Sequence, residues 1–231
     1  MNPTDETIAV WRLKLSSATG TSELDWACLD DAERTRAMRF VRDADRRRFV
    51  VAHASLRRIL GERLGTDPRR LAFERGAFGK PALVGSGLQF NSSHSGNWVL
   101  HAVSAVGPVG IDVEAVGTHG DDTALLARVL APDEQAALRR LPPTRRDAAF
   151  TDVWCRKEAY LKGLGEGLLR RPLADIGVGT RDDGARLLFD RASVDSVVSW
   201  VLRTIDVGAG HAACLAYRGP AREVTLHGDT P

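Results

Sequence analysis

Apolar and polar residues alternate along residues 8–15, IAVWRLKL, and this period of two predicts an opening strand before the polar turn segment SSATGTS. A charged segment starts at Asp30-Asp31-Ala32-Glu33. Beyond it the period lengthens to 3.6. Phe49, Val50, Ala52, His53, Leu56, Ile59 and Leu60 line one face of a predicted helix, capped by Asp43-Ala44-Asp45 and ended by Gly61. Asp67-Pro68 signals a turn, and residues 71–73, 89–91 and 98–105 read as short strands between Gly-rich connections. A second strand-first run follows: strand 109–113, a helical stretch over 124–141 broken at Pro132, a helix over 148–164, and strands 186–189, 199–205 and 211–216. The order strand, helix, more strands occurs twice without any letter-for-letter repeat. The pattern predicts an α+β protein of two similar halves, residues 1–106 and 107–231, meeting near Val106-Gly107.

Composition narrows this picture. A chain of 231 residues with 43% apolar and 27% charged residues can bury a core without metal or disulfide staples. The three cysteines, Cys28, Cys155 and Cys214, are too far apart in sequence to suggest a zinc ribbon, and fit a reducing compartment. The N-terminus lacks the apolar stretch of a secretion signal, and no later run approaches the roughly 20 residues of a membrane span. A cytoplasmic protein is expected. The net charge of +2 gives no reason to expect nucleic acid or membrane as a partner.

The chemistry is local. In Gly110-Ile111-Asp112-Val113-Glu114, strand alternation puts Ile111 and Val113 on one face and Asp112 and Glu114 on the other. Such a pair is either an ordinary wet face or a set of hard oxygen ligands suited to Mg²⁺. Trp154, Glu158 and Lys162 recur at i,i+4 on the last strong helix, which brings a carboxylate and an ammonium to one face. The segment Phe90-Asn91-Ser92-Ser93-His94-Ser95-Gly96-Asn97-Trp98 reads as a polar, ligand-contacting loop in which Ser93 and His94 can bind phosphate oxygens. Residues 34–58 hold nine arginines against Asp43 and Asp45, a local charge of +7 that suits anionic oxygens, with Arg47 and Arg57 the leading candidates for ligand contact.

Together, Gly79-Lys80-Pro81, the Phe90–Gly96 segment, the Gly110–Glu114 strand and the Trp154–Lys162 helix resemble the 4'-phosphopantetheinyl transferase superfamily, in its Sfp-type branch, across nearly the whole chain. The resemblance implies a monomer of two α/β halves related by pseudo-twofold symmetry, with coenzyme A in the cleft between them. It implies transfer of the 4'-phosphopantetheine arm to a serine hydroxyl of an apo acyl or peptidyl carrier protein, with release of adenosine 3',5'-bisphosphate. Polyketide or nonribosomal peptide synthesis is the expected setting. A noncatalytic module that binds coenzyme A or a carrier protein is the alternative.

By the same resemblance Asp112, Glu114 and Glu158 would hold Mg²⁺. Glu158, or Asp112 acting through water, would take the serine proton, and Lys162 would stabilise charge on the reacting phosphate. Arg47, Arg57, Lys80, Pro81, Ser93, His94 and Lys162 would contact coenzyme A, with Arg34, Arg36 and Arg39 as further candidates. Cys155 is expected to pack. The arginines of residues 139–146 are expected to form a flap or rim that orients an acidic carrier protein, with Arg145 and Arg146 foremost.

Overall fold

The computed structural model describes residues 7–15, 20–167, 171–180, 184–193 and 195–228; part of the expected turn at residues 16–22 therefore lies outside the described residues. The first run of elements is β1 (Ile8–Lys14), α1 (Glu23–Cys28), α2 (Asp31–Ala37), α3 (Asp43–Leu64), β2 (Phe73–Arg75), β3 (Pro81–Leu83), β4 (Gln89–Ser95) and β5 (Trp98–Ser104). The second is β6 (Val109–Ala115), α4 (Thr123–Val129), α5 (Pro132–Arg140), α6 (Pro143–Leu164), β7 (Ile176–Val178), β8 (Leu187–Asp190), α7 (Ser196–Ser199), β9 (Trp200–Thr204) and β10 (His211–Arg218), and β11 (Val224–His227) closes the chain. The fold is α+β.

Two sheets carry the architecture, one in the order β11-β1-β5-β4 and the other β6-β10-β9, with the hairpins β2-β3 and β7-β8 beside them. Pairing is antiparallel except between β1 and β11, so the last strand crosses back to complete the first sheet. Ala9, Trp11 and Leu13 turn one face of β1 toward Ala52, Leu56, Ile59 and Leu60 of α3. The opposite face, Ile8 and Val10, packs with Leu100 and Ala102 against Ile111, Val113, Ala213 and Leu215 of the second sheet. α6 covers the outer side of that second sheet. Each fully buried Leu or Ile contributes about 1.5–3 kcal/mol, so this back-to-back contact fixes one sheet against the other.

Several boundaries move for identifiable reasons. α3 starts at Asp43 with Arg42 as an N-cap that makes no side-chain bond; Asp43 and Asp45 lie in its first turn, where acids favour the helix dipole. It also runs past Gly61 to Leu64 and ends at Gly65, whose φ of 61° suits glycine. Gly61 answers a packing need instead, because a Cβ there would lie 2.7 Å from the Thr66 carbonyl oxygen. α6 opens at Pro143, five residues before the expected start, with proline in the first turn where no intrahelical N–H bond is lost. The sequence pattern did not predict α1, α2, β3, β7, α7 or β11. The expected polar loop at residues 90–98 is a strand followed by a tight turn at Gly96-Asn97.

Candidate active site

That polar strand is where the two sheets meet edge to edge. β4 and β6 belong to different sheets, and side chains replace the backbone ladder between them. The Ile111 N–H donates to Asn91 Oδ1 at 2.8 Å, the Val113 N–H to Ser93 Oγ at 3.3 Å, and the Ala115 N–H to Ser95 Oγ at 3.0 Å. Strand alternation explains the spacing: Asn91, Ser93 and Ser95 all face the seam, while Phe90, Ser92 and His94 face the α3 side. Phe90 accordingly packs in the α3 core and the Ser92 hydroxyl meets His101. Ser93 and His94, expected to act as an adjacent pair, thus point to opposite faces.

β6 presents Asp112 and Glu114 to α6. The two elements come very close, since a Cβ on Gly110 would lie 2.1 Å from the Ala159 carbonyl oxygen. Asp112 is buried, and its Oδ1 accepts from Ser93 Oγ at 2.8 Å and from Lys162 Nζ at 2.6 Å. Lys162 Nζ also reaches Ser93 Oγ at 3.0 Å, and Glu114 Oε2 accepts from Ser95 Oγ at 2.8 Å. Glu158 is buried one helical turn before Lys162. Asp112 Oδ2 and Glu158 Oε1 are buried without a hydrogen-bond partner among the described residues.

The electrostatics follow from this crowding. Burial, reinforced by the negative charge of Asp112, pushes the Glu158 carboxyl up to about 8. The same two causes, in the same order, raise Glu114. Burial opposes the charge on Lys162, but Asp112 outweighs it and holds the ammonium above its ordinary range. Cys155 is buried, with its thiol raised well above its usual value by burial and then by Asp112, so it packs as a neutral thiol. Among the described residues no three of His, Cys, Asp and Glu form a ready metal cage. The donor set still fits a hard cation: the acids supply oxygens, and two of those oxygens have no other partner.

The basic residues divide differently from the expectation. Arg57 is fully buried: Nε donates to Glu33 at 2.7 Å, Nη1 to the Pro68 and Leu71 carbonyls at 3.0 Å each, and Nη2 to Asp30. Every nitrogen is engaged, so Arg57 is corrected from ligand contact to structural cation. Arg47 is half-buried on α3. Its neighbour Arg48 was not singled out in the sequence, yet it donates to the Gly96 carbonyl at 3.1 Å and lies near enough to help burial lower the His94 pKa. Lys80 Nζ donates to the carbonyls of Val109 at 2.8 Å and Gly163 at 3.2 Å, tying the segment before β3 to β6 and the end of α6. Pro81 lines a cavity of about 400 Å³ with Arg36, Phe49, His53, Phe73 and Arg75. Glu114 lines another cavity, of about 190 Å³, with Leu125, Phe150 and Trp154. The expected rim over residues 139–146 is the junction of α5 and α6; Arg146 is held by Asp121 and the Leu141 carbonyl, while Arg145 is exposed.

Two family models cover most of the chain. Residues 108–216 match the 4'-phosphopantetheinyl transferase superfamily and residues 18–106 match the N-terminal region of 4'-phosphopantetheinyl transferase. The chain is 37% identical to the 4'-phosphopantetheinyl transferase HetI of Nostoc sp., over 74% of each protein. It is 30% identical to a 4'-phosphopantetheinyl transferase of Bacillus subtilis, over 72% of this chain and 73% of that one. It is 26% identical to the 4'-phosphopantetheinyl transferase Sfp of Bacillus subtilis, over 84% and 85%.

Proposed function

The chain belongs to the 4'-phosphopantetheinyl transferase superfamily, and on that premise we propose how its own residues divide the transfer of phosphopantetheine from coenzyme A to a carrier protein. The observation that carries the reading is the convergence of Asp112, Glu158, Lys162 and Ser93 beside the β4–β6 seam, with two carboxylate oxygens left unpartnered. Asp112, Glu114 and Glu158 would hold Mg²⁺. When bound, that ion neutralises the pyrophosphate of coenzyme A and polarises the phosphorus under attack.

The chain's residues do the rest. Lys162, kept charged by Asp112, faces the cleft with about a third of its side chain exposed (30%) and stabilises negative charge on the transferring phosphate. In its ionised form the Glu158 carboxylate would accept the proton of the incoming serine, with Asp112 through a water as the second route. The serine oxygen forms a new bond to the phosphorus that bears the pantetheine arm, the P–O–P bond breaks, and adenosine 3',5'-bisphosphate leaves. Arg48, Arg47 and His94 serve the phosphates at the nucleotide end, and the cavity beside Pro81 takes the nucleoside. The more apolar cavity beside Glu114 and Trp154 suits the pantetheine arm.

The boundary near residue 106 still divides two units in this reading, the first serving the nucleotide and the second the chemistry, except that β11 returns to the sheet of the first. A monomer is the proposed working form, since one chain can supply all the acids and cations of the proposed site. Among the described residues no helix is long and apolar enough to cross a membrane, and the carrier proteins of polyketide or nonribosomal peptide synthesis are the proposed acceptors. The test is an intact-mass assay of an apo carrier protein with coenzyme A, with and without Mg²⁺. A phosphopantetheine mass gain on the carrier serine only with Mg²⁺ is expected; an equal gain after chelation would overturn the metal assignment.

A further inference from the structure

From the geometry of the seam we infer that Ser95 is a positioning residue for Glu114, as Ser93 is for Asp112, and that the β4–β6 ladder selects which carboxylate oxygens face the cleft. Each hydroxyl has a single proton. Ser93 Oγ accepts from the Val113 N–H at 3.3 Å and from Lys162 Nζ at 3.0 Å, so both lone pairs are used and its proton goes to Asp112 Oδ1 at 2.8 Å. Ser95 Oγ accepts from the Ala115 N–H at 3.0 Å and passes its proton to Glu114 Oε2 at 2.8 Å.

In both pairs the backbone of β6 orients the hydroxyl, and the hydroxyl then fixes one oxygen of the acid next to it on the same strand. The other oxygen is left for a ligand. Asp112 Oδ2 is the visible result, being buried with no partner. Asn91 makes the equivalent bond to the Ile111 N–H but bonds to no carboxylate among the described residues. It therefore shares the structural part of the seam without the positioning part.

The inference rests on the metal reading above, and the experiment separates the two. Mn²⁺ is titrated into the full-length protein in the presence of coenzyme A, the free-ion EPR signal is followed, and thermal unfolding is recorded alongside. Ser95→Ala should weaken Mn²⁺ binding about tenfold, the low end for residues that orient metal ligands. Ser95→Thr, which restores the hydroxyl, should recover most of that loss. Asn91→Ala should lower the melting temperature as much as Ser95→Ala does, yet leave Mn²⁺ affinity within about twofold. Mn²⁺ affinity that is unchanged in Ser95→Ala, that falls equally in Asn91→Ala, or that Ser95→Thr fails to restore would overturn the positioning role alone. A wild-type protein that takes up no Mn²⁺ would overturn the metal reading and this inference with it.

Discussion

α3 and α6 are two builds of one frame. Each has 22 residues and ends at a left-handed glycine, Gly65 in one and Gly165 in the other. Each buries one cation completely, Arg57 or Lys157, against the glutamate that accepts the N-cap N–H of the preceding helix, Glu33 of α2 or Glu134 of α5. Both cations also bond backbone carbonyls, at Pro68 and Leu71 in the first run and at Val129 and Leu173 in the second. The difference lies on the face turned to the sheet. α3 meets Trp11 and Leu13 of β1, whereas α6 brings Glu158 and Lys162 to Asp112 and Glu114 of β6. The buried cation that recurs in both frames belongs to the frame, whereas the Glu158 and Lys162 pair turned to β6 is what the proposed chemistry adds to one of them.

Breaking the frame should have the largest effect. Arg57→Met leaves Asp30 and Glu33 without their buried partner and should cost about 3–5 kcal/mol of stability, read as a lower midpoint in urea unfolding. A next, smaller effect separates the nucleotide end from the reacting centre. Arg48→Ala should raise the KM for coenzyme A about tenfold, as loss of a charge-assisted contact does, with little change in the KM for the carrier protein. Equal effects on both would place Arg48 with the partner surface.

The smallest effect concerns the link between the runs. Burial pulls the Lys80 ammonium down to about 8 from the ordinary 10.5. The folded chain therefore binds fewer protons than the unfolded chain across that window, and stability should rise as pH climbs from about 8 toward 10.5. Lys80→Met should remove this rise, measured by urea unfolding at successive pH values.

The acids and the α6 motif were legible in the sequence because the signals are local: alternation puts Asp112 with Glu114, and an i,i+4 step puts Glu158 with Lys162. The roles within the arginine run were not. A list of arginines does not tell which one a neighbouring helix will bury, so Arg57 read as a ligand contact. One residue is about 100° of helix, which is enough to set Arg48 against the Gly96 carbonyl and Arg47 elsewhere. The seam was hidden for another reason. Residues 90–96 look like a loop until β6, some 20 residues further on, supplies the N–H groups that satisfy Asn91, Ser93 and Ser95. β11 escaped notice because four residues of mixed polarity become a strand only when β1 is there to pair with them.

The most direct test of the central claim compares Asp112→Asn with Arg57→Met by the rate of carrier-protein modification per folded molecule, with the folded fraction set by circular dichroism. The account predicts that Asp112→Asn loses about 10²–10³ in kcat per folded molecule, while Arg57→Met, once corrected for unfolding, keeps the wild-type rate within about threefold. A wild-type rate in Asp112→Asn, or a comparable loss in correctly folded Arg57→Met, would contradict it.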